Sequence, residues 1–252
     1  MATESSTRSI GRWLFGLMGL AAGSYAAYAA TTWYRYGKAR RTPKEDERDP
    51  IADRFLPEYE VAERHHVRVK APAEIVFDAA CAMDLERSRI VRAIFRAREW
   101  LLGAEKTERA SPRGIVEEMK AVGWGVLEEV PGREIVLGAV TQPWIADVVF
   151  RSLPPDEFAA FREPGFVKIV TTFRADPVGA AESIFRTETR AAATDPTARV
   201  KFRWYWSFLS PGIILIRWMS LRAVKMEARL QASEPQSGSR LAERKASREL
   251  AR

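Results

Sequence analysis

The chain is poor in the side chains that most often bind metals or form cross-links, with one cysteine and two histidines among 252 residues. A single cysteine, Cys81, excludes an internal disulfide and a Cys-x-x-Cys metal or redox motif. The histidines, His65 and His66, are adjacent, so the chain cannot form a His-Glu-x-x-His zinc site. It also lacks a glycine-rich phosphate loop and a Gly-x-Ser-x-Gly nucleophile motif. We therefore expect neither a metal nor a cofactor.

The central part of the chain has no net positive charge, although the whole chain carries +7. Residues 1–41 hold six Lys/Arg and one acidic residue, and residues 231–252 hold five and three, so residues 42–230 are neutral overall. A nucleic-acid surface needs basic residues gathered on one domain face. The charge distribution favours an anionic membrane surface as the partner of the basic ends. It predicts that the chain does not bind nucleic acid.

Long uncharged runs are also rare, and the one that stands out covers residues 13–34. As a helix this run would extend roughly 33 Å, enough to cross a hydrocarbon core of roughly 30 Å. Trp13 stands at one end and Trp33 and Tyr34 at the other, as in the aromatic belts of membrane spans. We expect a single-pass transmembrane helix.

The topology of that anchor has two interpretations. Four Lys/Arg follow the run closely and two precede it, which favours a cytoplasmic location for the rest of the chain. Alternatively, Ala27-Tyr28-Ala29 matches a signal-peptidase site, and the mature protein would then be secreted or periplasmic.

The chain divides by composition into five parts. We predict an N-terminal flank at 1–12, the transmembrane helix at 13–34 and a charged linker at 35–58 with too few apolar residues to fold alone. One domain of α+β class follows at 59–230, and a disordered tail at 231–252 ends the chain.

Hydrophobic periodicity within 59–230 predicts two helices between a first strand and a run of antiparallel strands, with a long helix at the end. The predicted strands are 59–70, 116–130, 134–140, 145–151, 166–174 and 183–194. One predicted helix begins at Ala71-Pro72, and three others cover 84–102, 154–161 and 195–230. Pro211 is expected to break or kink the last helix.

The segment from Val67 to Phe77, with sequence VRVKAPAEIVF, resembles the opening of START-like (SRPBCC) domains, the superfamily of polyketide cyclases and the birch pollen allergen. Their domains commonly begin with a strand and then an Ala-Pro-x-Glu helix start. The stretch from Thr189 to Arg217 is similar to the close of uncharacterised bacterial members. This resemblance implies a helix-grip fold, in which a curved antiparallel sheet wraps a long C-terminal helix. It also implies a cavity beneath that helix for a hydrophobic small molecule or lipid, and it transfers no catalytic residue.

Large apolar side chains are the candidates for lining such a cavity, because ligand pockets are mostly apolar and aromatic. The candidates are Trp124, Trp144, Phe150, Phe173, Phe185, Trp206, Phe208 and Ile213. Packing in an ordinary hydrophobic core would select the same residues.

Three functions remain open from the sequence. The first is binding of a hydrophobic small molecule or lipid beside a membrane. The second is a cyclase or dehydratase acting on an apolar polyketide-like substrate, with His65 or His66 as the weak catalytic candidates. Neighbouring residues of a strand point to opposite faces, so only one of the two histidines can face a cavity. The third is a protein-interaction module at the membrane.

Overall fold

The structure, a computed structural model, describes residues 2–38, 45, 48–84, 88–103 and 114–233. One antiparallel sheet contains six strands, in the order β1-β6-β5-β3-β2, with β4 paired to β3. The strands are β1 (Val61–Val69), β2 (Gly125–Val130), β3 (Glu134–Thr141), β4 (Phe150–Arg151), β5 (Val167–Gly179) and β6 (Glu182–Ala193). The helices are α1 (Ala2–Arg35), α2 (Pro50–Phe55), α3 (Ala73–Cys81), α4 (Arg89–Leu102), α5 (Ile115–Ala121), α6 (Pro155–Ala160) and α7 (Pro196–Ser233).

The sheet lies against α7, and this α+β, helix-grip-like architecture confirms the predicted fold class. Strand alternation places Val67 and Val69 of β1 on the face toward α7, together with their β6 partners Phe185 and Ser183. A hydrophobic core lies between part of this face, α3 and the C-terminal half of α7. From α7 that core receives Leu221, Val224 and Ala228.

Helix α7 runs without interruption from Pro196 to Ser233, with Pro211 inside it. A break at residues 210–212 is therefore wrong, and a kink at Pro211 stays a prediction. A proline in a helix removes one N–H···O bond, and the packing of α7 on β1, β6 and α3 holds the helix together.

The predicted membrane anchor forms a helix, α1, but the transmembrane interpretation is not supported. Among the residues that the structure describes, no helix joins sufficient length to sufficient hydropathy for crossing a bilayer. Glycine, alanine, serine, threonine and tyrosine make up much of residues 16–32 and dilute the apolar character of the helix. The end of α1 instead packs on α7, where the Tyr28 hydroxyl and Ser210 Oγ are 3.0 Å apart.

The segment predicted as a linker contributes a helix to the fold. Asp49 caps α2 by accepting a hydrogen bond at Oδ1 from the Ala52 amide at 2.8 Å, and Pro50 occupies the first turn. Helix α2 buries Ala52 and Phe55 against α6 and the sheet face opposite α7. A linker without packed structure is therefore wrong for residues 50–55, and both faces of the sheet are covered by helices.

Two predicted strands are also wrong in extent. Residues 115–121 form α5 instead of the start of a strand, because Gly114 and Gly123 take positive φ values and separate this segment from β2. Of the strand predicted at 145–151, only Phe150–Arg151 pairs with β3. The disordered tail predicted beyond residue 233 lies outside the described residues.

Candidate functional site

The face of the sheet that meets α7 carries a group of polar residues among its apolar ones. Strand register aligns His65 with Thr187 and Glu63 with Thr189 across β1 and β6. On β5, Thr171 pairs with Thr189, and their hydroxyl oxygens are 2.6 Å apart. Three threonines, one carboxyl group and one imidazole thus face the long helix, and we call them with Arg217 the interior polar cluster.

Helix α7 contributes the cation of this cluster. The Arg217 guanidinium donates from Nη2 to Thr189 Oγ1 and from Nη1 to Thr187 Oγ1, the latter at 3.5 Å. Burial lowers the pKa of Arg217 to about 10, while the carboxylates of Glu63 and Glu188 oppose that shift. Arg217 therefore remains charged at neutral pH, and its charge is held inside the fold.

His65 lies beside the carboxylate of Glu63, with 3.7 Å between Nε2 of the imidazole and Oε2 of the carboxylate. Its ring meets the indole of Trp218 edge-on, with 6.2 Å between centroids. Trp218 is 56% exposed, so the cluster lies near the surface on this side of α7. An imidazole beside a carboxylate is a donor and acceptor pair suited to moving a proton.

The two histidines occupy opposite faces of the sheet. His65 faces α7, whereas His66 pairs with Arg186 on the other face and is exposed. The interior polar cluster therefore includes one of the two candidate catalytic residues.

The predicted ligand-binding residues do not gather in one place. Phe173 and Phe185 pack together, with 6.2 Å between ring centroids, in the core near α3. Trp124 packs against the same core, and its ring lies 5.4 Å from that of Phe150. Trp144, Trp206 and Ile213 belong to a second cluster with Val167 of β5 and Phe202 of α7, and Phe208 lies on the outside of α7.

Arg217 is partly buried against the sheet, a position that was not predicted from the sequence although a signal for it exists. Arg217 precedes Leu221, Val224 and Ala228 at spacings of four, three and four residues, which places it on the buried stripe of α7. Within the described ranges, no group of three or more His, Cys, Asp or Glu side chains has the geometry to hold a metal ion.

No protein-family model matches the chain, and no curated protein sequence matches it. Similar solved structures include a protein from Thermobifida fusca, with 15% identity, 69% of this chain and 97% of that chain covered, and a TM-score of 0.29. The Zhui aromatase/cyclase from a Streptomyces species has 15% identity, coverage of 69% and 96%, and a TM-score of 0.24. Norcoclaurine synthase from Thalictrum flavum, in complex with dopamine and hydroxybenzaldehyde, has 10% identity, coverage of 79% and 100%, and a TM-score of 0.25. Values this low assign neither a family nor an activity to the chain.

Proposed function

We propose that this chain binds a hydrophobic small molecule or lipid between the sheet and α7, with one oxygen-bearing polar group of the ligand at Arg217. The observation that supports this is the placement of a guanidinium among threonine hydroxyls beside an apolar core. Withdrawing a charge from water costs several kcal/mol and contributes little to stability, so such groups are frequent in functional sites.

Apolar and polar parts of the site are arranged in sequence from the core to the surface. Phe173, Phe185 and Val67 provide apolar walls on the strands, and Arg217 lies one helical turn before the buried Leu221. Trp218 stands between the cluster and solvent. A ligand with an apolar body and one carboxylate or carbonyl group would match this order.

A pair of matched probes tests the proposal: a long-chain fatty acid and the fatty alcohol of the same length, titrated into the full chain. Arg217→Met should weaken fatty-acid binding at least about tenfold, the loss expected for a charged hydrogen bond, and should change alcohol binding less. Arg222→Met is the control, because Arg222 is an exposed arginine on the same helix. Equal effects of the two substitutions, or no binding of either probe, would contradict the proposal.

We also infer that the site exchanges its ligand with the surface of a membrane, on its cytoplasmic side. One stripe along α7 carries four large apolar side chains that are each 43–56% exposed, namely Trp204, Phe208, Leu215 and Trp218. Their spacings of four, seven and three residues place them on the same side of the helix. Exposed apolar residues of α1, including Leu17 and Leu20, add to this apolar surface. Aromatic side chains flanked by Lys and Arg suit the interface of an anionic bilayer.

Co-sedimentation with vesicles of phosphatidylcholine and phosphatidylserine tests this membrane contact. The double change Phe208→Ser, Leu215→Ser should reduce the bound fraction several-fold, because each removes an apolar side chain from the interface. Val178→Ser, at an exposed apolar residue of β5, is the control. Unchanged sedimentation of the double variant would contradict the inference.

A second candidate function, catalysis of the cyclase or dehydratase type on an apolar polyketide-like substrate, is favoured by the pairing of His65 with Glu63. His65 would transfer a proton and Glu63 would orient the imidazole. His65→Gln should abolish turnover of such a substrate while His66→Gln preserves it, because only His65 faces α7. Equal activity of the two variants would remove this candidate.

A further inference from the structure

Helix α4 has one apolar side, and the fold buries only part of it. Val91 is buried, and Ile94 packs on α7 so closely that a Cβ added to Gly212 would lie 3.0 Å from Ile94 Cγ2. Ile90 and Leu101 lie within about 40° of Ile94 around the helix, but they are 53% and 61% exposed. The apolar side of α4 thus continues beyond its contact with α7 into solvent.

Trp100 extends this exposed apolar edge, and it is 82% exposed. Two small residues, Ala93 and Ala97, are also exposed and lie around the helix between Trp100 and the pair formed by Ile90 and Leu101. An apolar arc of about 100° therefore faces solvent along α4. Contiguous apolar surface of this kind marks an interaction site more often than an isolated exposed residue does.

Helix α4 is also basic. Four of its residues are arginine and one, Glu99, is acidic. Residues 84–102 contain five arginines and three acidic residues, so the positive excess remains when the residues before the helix are counted. Arg96 is exposed and lies one turn before Trp100, on the same side of the helix. Positive charge thus borders the exposed apolar edge.

The contact between α4 and α7 lies beside the exposed stripe of α7 that carries Trp204, Phe208, Leu215 and Trp218. Gly212, which meets α4, is about 40° around α7 from Phe208 and about 60° from Leu215. Helix α4 is therefore adjacent to the surface that we infer to meet a membrane.

We propose that α4 is an interfacial helix that binds an anionic bilayer, with Ile90, Trp100 and Leu101 inserted among the lipids and its arginines at the lipid phosphate groups. Helices that lie in a membrane surface combine a basic side with tryptophan and aliphatic side chains, as α4 does. Basic residues close to an anionic lipid surface strengthen binding to it. This proposal rests on the membrane contact inferred for α7 and adds to it the helix that selects anionic lipid.

The test is co-sedimentation of the full chain with vesicles of phosphatidylcholine alone and of phosphatidylcholine with phosphatidylserine. Arg96→Gln should weaken binding to the anionic vesicles about fivefold, the loss expected for one charge near such a surface, and should leave binding to the neutral vesicles unchanged. Arg68→Gln is the matched control, because it removes the same charge from the face of the sheet opposite α7.

The double change Ile90→Ser, Leu101→Ser tests the apolar part of the contact. It should weaken binding to both kinds of vesicle at least about tenfold, because two aliphatic side chains no longer leave water. Val178→Ser is the control for this loss, as it is for the α7 stripe. Arg96→Gln keeps the proposal testable if the double variant does not fold.

Weaker binding in either α4 variant, with both controls unchanged, supports the proposal. Unchanged binding in both α4 variants, or an equal loss in Arg96→Gln and Arg68→Gln, would overturn it. If Phe208→Ser, Leu215→Ser alone loses binding, the α7 contact stands without α4. Absence of vesicle binding by the wild type would contradict both membrane contacts and leave fatty-acid binding as a separate result. Self-association without vesicles that is lost in Ile90→Ser, Leu101→Ser would assign the surface to a second copy of the chain and would also overturn the proposal.

Discussion

Glu134→Gln should change how the stability of this protein depends on pH. Glu134 is 5% exposed on β3, and Asp49, Arg174 and Asp176 are the charged groups that act on it. Its pKa is about 8 in the folded chain and about 4.5 in the unfolded chain. Between these values the folded state binds more protons, so the free energy of unfolding falls as pH rises, and this contribution is fully lost above pH 8.

The magnitude follows from the size of the shift and from its neighbours. Each pKa unit corresponds to about 1.4 kcal/mol, so the shift of Glu134 from 4.5 to about 8 sets an upper bound of about 5 kcal/mol, and relaxation of the fold and of water around the charge as it forms reduces it. We therefore expect a loss of about 1–2 kcal/mol between pH 5 and pH 8.5. Glutamine is neutral throughout this range, so Glu134→Gln should remove that part of the decline and exceed the wild type in stability at pH 8.5.

Urea unfolding followed by circular dichroism at half-unit pH intervals measures this difference. Glu129→Gln, at an exposed position of the neighbouring strand β2, is the control and should parallel the wild type. Subtracting the wild-type curve cancels the contributions of all other titrating groups. A Glu134→Gln curve that also parallels the wild type would refute the raised pKa of Glu134.

Three further predictions test the fold and the interior polar cluster by the same unfolding measurement. Phe158→Ala should cost about 3–5 kcal/mol, since this side chain of α6 is fully buried, and a cost below about 1 kcal/mol would contradict its packing on the sheet. Gly123→Ala should cost more than about 2 kcal/mol, because its φ is +104° and an added Cβ would lie 2.1 Å from the Phe150 carbonyl oxygen. Arg217→Met and Glu63→Gln should be coupled by about 1 kcal/mol or more in a double-mutant cycle, whereas strict additivity would show that the two charges do not interact.

The elements with strong periodicity could be predicted from the sequence, and those defined by short signals could not. Strand β1 follows the alternation of Val67 and Val69 and was predicted close to its observed bounds, and helix α3 follows a proline and was predicted close to its observed start. Helix α2 was missed because the dense charge before it outweighed its start signal, Asp49 followed by Pro50. Its core contacts depend on long-range packing, which composition does not report.

The candidate site shows the same division. Alternation predicts that His65 and His66 lie on opposite faces, but which face meets α7 depends on the register with β6. Alternation puts Glu188 and Arg190 on one face of β6, where they form an ion pair at 2.7 Å, but their burial beneath α2 depends on long-range packing. Helix periodicity would have placed Arg217 inside, whereas its threonine partners come from a strand that no local pattern ties to the helix.

The central claim is that an apolar ligand lies between the sheet and α7 with its polar group at Arg217. The most direct measurement is photo-crosslinking of the full chain with a fatty acid that carries a diazirine near its carboxylate, followed by peptide mapping. We predict crosslinks in β1, β6 and the part of α7 around Arg217 and Leu221, with loss of those crosslinks in Arg217→Met. Crosslinks confined to the outer stripe at Trp204 and Phe208, or an unchanged pattern in Arg217→Met, would contradict the account.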